Sequence, residues 1–335
     1  MSESASSRSS ERVGVRDVAR AAGVSTQTVS RVINDHPGIR EETRQRVVDA
    51  MAALDYRVNN AARALGTKRT RTIGILASDA NMYGPAIGIL ALEAAARAAG
   101  RWITAAYADA GDPASVVHAA RHLSAQGVDG IVVVAPHART LAAIGSAGVG
   151  VPVVALHGPD ASELQRDAAR IAVDHLVEAG HARIAHLAGP EEWLEAQARA
   201  EGFDAAMNAH GLASAGVWRG DWSAASGMRA ATEIAAAIRA GEGPTAVFAG
   251  NDQMALGLIA GVVDAGLSVP DDVSIVGVDD NPDAAFYRPP LTTVRLDVAG
   301  EAARCIAHVL AEPQAAASIA IAAPELIVRR SARRV

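Results

Sequence analysis

Between Arg16 and Val47, in RDVARAAGVSTQTVSRVINDHPGIREETRQRV, apolar residues recur at helical spacing with one early break at Gly23. Val15, Val18, Ala19 and Ala22 fall at i, i+3, i+4 and i+7, which predicts a short helix with one apolar face. Gly23 can take the left-handed conformation that ends it. Ser25 is placed to cap a second helix, with Thr28, Val29 and Val32 turned inward and Thr26, Gln27, Ser30 and Arg31 outward. A third helix is expected from Glu41 to Leu54, with Val47, Val48, Met51 and Leu54 inward. Two short helices joined at a tight glycine turn and braced by a third make a helix-turn-helix. In that motif the second helix enters the DNA major groove. Gln can read adenine bidentately, Arg can read guanine, and a Thr methyl can touch thymine.

From Thr72 the pattern changes. TIGILA reads as a buried strand, followed by an Ala-rich helix from about Pro85 to Ala99. WITAAYA, a helix to Gln126, GIVVVA, VPVVAL, ARIAHLAG, TAVFAG and VSIVGV continue the alternation. Apolar strands alternating with helices predict parallel sheets covered on both faces. The segment is long for one open sheet, so two similar α/β subdomains are expected.

Ligands of such sheets bind beyond the carboxyl ends of the strands. Polar residues gather there: Ser78 and Asp79, His157, Arg199 on the helix after Pro190, Asn251 and Asp252, and Asp279 and Asp280. Any one of the Asp or Asn residues could be a helix cap. Five polar strand ends together point to a shared cleft.

Composition narrows the function. The chain has 335 residues, half of them hydrophobic, and a formal net charge of −6. Up to Lys68 there are 11 Arg and Lys against 8 Asp and Glu, so a mildly basic head precedes an acidic body. A single head of such modest charge should bind DNA weakly. The one cysteine, Cys305, excludes an intrachain disulfide and fits a reduced cytoplasmic setting, where it reads as a small buried hydrophobe. The start, MSESASSRSSER, lacks an apolar signal core, and no apolar run reaches membrane-spanning length. There is no G-x-S-x-G, P-loop or metal-spaced cysteine cluster, so an enzyme is not expected, nor a cofactor. His118 and His122 stand four apart in HAARH without further ligands, which reads as an exposed helix face.

DVARAAGVSTQTVSRVIND, GDWSAASG, NDQMALG, SIVGVDD and YRPPLTTVRLD resemble the lac repressor family of bacterial transcription regulators, over about Val15 to Arg329. The polar composition of the start reads as a disordered tail (1–12), and the resemblance implies a helix-turn-helix head (13–58), a hinge helix and linker (59–69), and a two-subdomain body (70–335) with the fold of periplasmic sugar-binding proteins. It implies operator contacts from Thr26, Gln27 and Arg31, with Ser25, Thr28 and Asn34 at phosphate-contacting or capping positions. In the hinge, within YRVNNAARALG, it implies DNA contacts from Asn59 and a minor-groove wedge at Leu65. Arg199, Trp222, Asn251 and Asp279 match sugar-contacting positions, and Ser78, Asp79, Tyr83, His157 and Trp193 are further pocket candidates. Carboxylate and amide acceptors with Arg and Asn donors suit a polyol, and an aromatic face suits its C–H side.

Four departures stand out. Val58 replaces a frequent Pro, Arg40 replaces a usual Ser cap, and His157 replaces an acidic residue. The connection GPDASELQRDAAR is several residues shorter than is usual. As a neutral imidazole, His157 would supply one donor and one acceptor and would alter effector affinity below about pH 6.5.

These readings lead to the expectation of a cytoplasmic repressor that binds near-palindromic operator DNA as a homodimer and is released by a small sugar. No leucine heptads follow ELIVRRSARRV, so a dimer is expected rather than a tetramer. Two alternatives remain: a purine acting as corepressor, with Tyr83 and Trp222 to stack on it, and a sugar-binding transport protein, which the body alone would permit.

Overall fold

The structure is a computed structural model that describes residues 13–34, 36–57 and 70–335. Two compact units divide at Thr70 and Arg71. The expected tail and hinge, including Asn59 and Leu65, lie outside the described residues.

In the first unit, α1 (Val15–Ala22) ends at Gly23, whose φ of 64° is left-handed. The chain turns at once into α2 (Thr26–Ile33), where the Ser25 hydroxyl accepts the Thr28 N–H at 3.1 Å. Helix α3 (Glu41–Ala53) begins at Arg40, which gives no side-chain cap. Val18, Ala19, Ala22, Val29, Val32, Val47 and Ala50 form the small core. Val48, expected inward, is 46 % exposed. The stripe that meets α1 and α2 runs through Val47, Ala50, Met51 and Leu54, and Val48 lies one residue off it.

The second unit holds two sheets. The first has the order β2-β1-β3-β4 and is parallel throughout: β1 (Thr72–Ala77), β2 (Trp102–Tyr107), β3 (Gly130–Val134) and β4 (Val153–Ala155). Helices α4 (Tyr83–Ala98), α5 (Pro113–Ala125) and α6 (Ala138–Ala147) connect its strands. A single short turn, Pro159–Ala161, then leads into α7 (Ser162–Glu178) on the second sheet, so the short connection noted in the sequence carries no strand of its own.

The second sheet has the order β10-β9-β8-β7-β5-β6. Its strands are β5 (Ile184–Ala188), β6 (Val217–Arg219), β7 (Ala246–Ala249), β8 (Ser274–Val278), β9 (Thr292–Arg295) and β10 (Glu325–Ile327), and only the β9–β10 pair is antiparallel. Helices α7 and α8 (Leu194–Ala209) cover one face; α9 (Ala224–Arg239) and α10 (Asp252–Asp264) cover the other. The last two pack backbone to backbone, because a Cβ on Gly257 would collide with the Ala224 carbonyl. After β9 the chain returns to the first sheet: Ala302, Ile306 and Val309 of α11 (Val298–Val309) pack on β1, β3 and α4. Helix α12 (Pro313–Ser318) and β10 follow. Cys305 is buried on α11, and burial pushes its thiol up to about 12, so it behaves as the small hydrophobe expected of it. Because the chain crosses between the sheets more than once, neither half can move without bending several connections.

Candidate functional site

The carboxyl ends of the strands of both sheets face a shared, narrow cleft of about 40 Å³. Met82, Tyr83, Gly84 and Pro85 after β1 and His157 after β4 line one side. Trp193 after β5, Trp222 after β6, Asn251 after β7, Asp279 after β8, and Glu195 and Arg199 on α8 line the other. The lining combines aromatic faces with a few converging polar groups, the make-up of small-molecule sites.

Three of these residues sit on left-handed backbone: His157 (φ 55°), Trp222 (φ 69°) and Asp279 (φ 115°). Each costs on the order of 1–3 kcal/mol, and such strain concentrates at functional sites. Gly189 is required beside Trp222, since a Cβ there would enter the indole ring. Trp222 meets Trp193 edge-on at 5.8 Å between centroids, and the Arg199 guanidinium lies 5.6 Å from the Trp222 ring centroid.

Arg199 is held firmly. Its Nε donates to Gln165 Oε1 at 2.8 Å, Nη1 donates to the Gly250 carbonyl at 2.5 Å, and Nη2 lies 3.8 Å from Asp279 Oδ1. Asn251 does two jobs. Its Oδ1 caps α10 by accepting the Met254 N–H at 2.9 Å, while Nδ2 donates to the Trp222 carbonyl at 3.1 Å. Burial raises the Asp279 carboxyl to about 6, although Arg199 and His157 pull the other way.

His157 corrects the expectation of a neutral imidazole. Its backbone N–H donates to Glu301 Oε1 at 2.5 Å, and Nδ1 lies 2.8 Å from Glu301 Oε2. Burial opposes the charged ring, but the attraction and hydrogen bond of Glu301 outweigh it and hold the pKa at about 9. At neutral pH the ring is therefore an imidazolium with an N–H on both nitrogens, of which Nδ1 faces Glu301. An acceptor position in the family pattern has become a donor.

Tyr83, His157, Trp193, Arg199, Trp222, Asn251 and Asp279 are brought together as expected candidates. Ser78 and Asp79 are not among the lining residues: the Ser78 side chain is buried without a hydrogen-bond partner among the described residues, and Asp79 is exposed at a turn with φ 49°. Asp252 and Asp280, read as possible caps, do other work. Asp252 is buried and accepts the Asn281 N–H at 2.7 Å and the Thr293 hydroxyl at 2.6 Å; burial raises its carboxyl well above the usual range. Asp280 pairs with Arg295 and Arg329, each at 2.6 Å, which keep its carboxyl low despite burial. Glu195, Gln165 and Glu301 were not foreseen. Glu195 had a signal, since it precedes Arg199 by one helical turn.

On the first unit, Thr26, Gln27 and Arg31 are exposed on α2, with Ser25 at its cap; Thr28 is half-buried and shares a 2.9 Å hydrogen bond with Ser25. Asn34, at the C-terminal end of α2, donates to the Ser30 hydroxyl at 3.4 Å. His118 and His122 are exposed on α5, and among the described residues no cluster of three or more His, Cys, Asp or Glu could hold a metal ion. No helix of the described residues is long and apolar enough to cross a membrane.

Residues 15–59 match the model of bacterial regulatory proteins of the lacI family, and residues 173–332 match a periplasmic binding protein-like domain. The lactose operon repressor of Escherichia coli K12 is 34 % identical over 292 residues, covering 85 % of this chain and 80 % of that protein. A structure of the lac repressor dimer bound to operator and the anti-inducer ONPF superposes with a TM-score of 0.76 at 29 % identity, covering 96 % of this chain and 100 % of that one. A complex of the transcriptional regulator CelR with cellobiose superposes with a TM-score of 0.64 at 28 % identity, over 96 % of this chain and 100 % of that one.

Proposed function

The chain belongs to the lacI family of bacterial regulatory proteins, and on that premise we propose that it is a sequence-specific transcriptional repressor, released from its operator by a small sugar bound in the cleft. The observation that carries this reading is the convergence of Arg199, Asn251, Asp279 and Trp222 between two sheets of a chain whose α2 presents Thr26, Gln27 and Arg31 outward. Carboxylate, amide and guanidinium beside an indole suit a polyol. The operator-bound lac repressor and the cellobiose-bound CelR, both similar over nearly the whole chain, support the pairing of DNA with a sugar effector.

A homodimer follows from the same premise. Two heads on a two-fold axis then read two half-sites of a near-palindrome. The working compartment of such a regulator is the cytoplasm, and no step of the reading calls for catalysis.

The mechanism is linkage. A sugar that bridges the two sides of the cleft favours their closed arrangement, and the DNA-competent state loses population by the difference in affinity. Typical coupling of about 1–3 kcal/mol changes DNA affinity by some 5–150-fold. The test begins with an operator selected from random duplexes by the full-length protein. Titration of that complex with neutral sugars, amino sugars and purines, read by mobility shift, then identifies the effector. Release by a sugar supports the reading; tighter binding with a purine replaces it with a corepressor.

A further inference from the structure

We propose that the ligand of the cleft carries a positively charged amino group received by the Glu195 carboxylate, an amino sugar being the class that fits. The inference rests on the reading of the cleft as a sugar site and deepens it.

Arg199 directs Nε and Nη1 at Gln165 and Gly250, and faces Asp279 with Nη2. His157 is matched by Glu301. Both cations of the cleft thus have a carboxylate opposite them. Glu195 has none within salt-bridge distance among the described residues, although it is only 7 % exposed and lines the cleft. Its Oε2 finds no hydrogen-bond partner among the described residues. A buried carboxylate oxygen without a partner is costly, and here burial raises the pKa of the group in spite of His157, Arg199 and a hydrogen bond from its own backbone. An ammonium supplies the donor and the counter-charge together. A neutral hydroxyl supplies only the first, and an acidic ligand would add a second anion.

A second orphan points to the rest of the ligand. The Trp222 indole Nε1, on a residue only 6 % exposed, also lacks a partner among the described residues and also belongs to the cleft lining. It donates, so it needs an acceptor, which a sugar hydroxyl or ring oxygen provides. Trp193 and Trp222 supply apolar ring surface for the C–H face. One donor cation, one acceptor oxygen and an apolar face on a compact skeleton describe an aminated monosaccharide.

The test is calorimetry of the full-length protein at neutral pH against matched pairs: glucose and glucosamine, galactose and galactosamine, mannose and mannosamine. The amino member of at least one pair should bind about tenfold tighter than its neutral partner or better. Glu195→Gln keeps the shape and removes the charge; it should erase that preference, bringing each amino sugar to within about threefold of its neutral partner measured on the same variant. Neutral sugars that bind as tightly as their amino partners, or a preference that survives Glu195→Gln, overturn the inference and leave the sugar reading standing. Binding of no sugar from any pair overturns both.

Discussion

His157 gives Glu301 two hydrogen bonds, one from its backbone N–H and one from its ring, across 144 residues of sequence. The pair fixes the left-handed turn after β4 onto α11 and keeps a cation in the wall of the cleft.

The pair has a definite pH window. His157 is raised from 6.5 to about 9, so its stabilising contribution is complete below pH 6.5 and is lost as pH rises through 9. Glu301 is held below its ordinary 4.5 by His157 in spite of burial, so its contribution is present above 4.5 and is lost as pH falls through the lowered value. The His157 ring should therefore stay protonated across neutral pH when followed by NMR. Glu301→Gln should bring its titration below neutrality and cost about 1–3 kcal/mol in denaturant unfolding at neutral pH, because the buried ring sheds its proton and the charge-assisted hydrogen bond is lost. A wild-type His157 that titrates near 6.5 would refute the assignment.

Arg199→Ala should remove effector response and leave operator binding within about twofold, since Arg199 lies in the body and not on α2. Asp279→Asn is the better partner variant than Ala, because Asn tolerates the left-handed backbone at this position. It should weaken effector binding by about 1–3 kcal/mol, the cost of exchanging a charged acceptor for a neutral one. Calorimetry and mobility shift on the same preparations separate the two effects.

Trp193 and its neighbours join the two sides of the cleft. Trp193 bridges to His137, its ring lies 5.3 Å from the imidazole, the Leu194 N–H donates to the Pro136 carbonyl at 3.2 Å, and Arg139 pairs with Glu192 at 2.5 Å. These contacts join the first sheet's side to the second's. Trp193→Leu should cost about 0.5–1.5 kcal/mol of effector affinity beyond lost contact area. Backbone amides around Pro136 and Leu194 should exchange faster in the variant; unchanged exchange would mean the contacts do not latch the cleft.

On α2, Gln27→Ala or Arg31→Ala should relax base preference at one position of each half-site at a cost of about 1–3 kcal/mol. Ser25→Ala should instead lower the stability of the head by about 1 kcal/mol, through the lost Thr28 cap. A selection-and-sequencing profile for the first two and thermal unfolding for the third distinguish reading from folding.

Much of this was legible because it is local. Gly23 and Ser25 announce the turn and cap within three residues, and strand–helix alternation announces the sheets. Asn251 and Asp279 were legible because parallel sheets put polar groups at strand ends, and Arg199 because it lies on α8, the helix that follows β5. Val48 was misplaced because one residue along a helix turns a side chain by about 100°, enough to carry it off a narrow stripe. Ser78 and Asp79 obey the strand-end rule and still miss the cleft, since the turn after β1 presents Met82 to Pro85 there instead. Glu301 was hidden for a topological reason. It reaches His157 only because α11 crosses back to the first sheet, and no local pattern records that return.

The most direct measurement is release of operator DNA by ligand, read by mobility shift on the full-length protein and on Arg199→Ala in parallel. The account predicts that a sugar or amino sugar weakens the wild-type complex at least about fivefold and leaves the Arg199→Ala complex unchanged. If no sugar alters operator occupancy, or if both proteins respond alike, the cleft is not the site through which a sugar controls DNA binding.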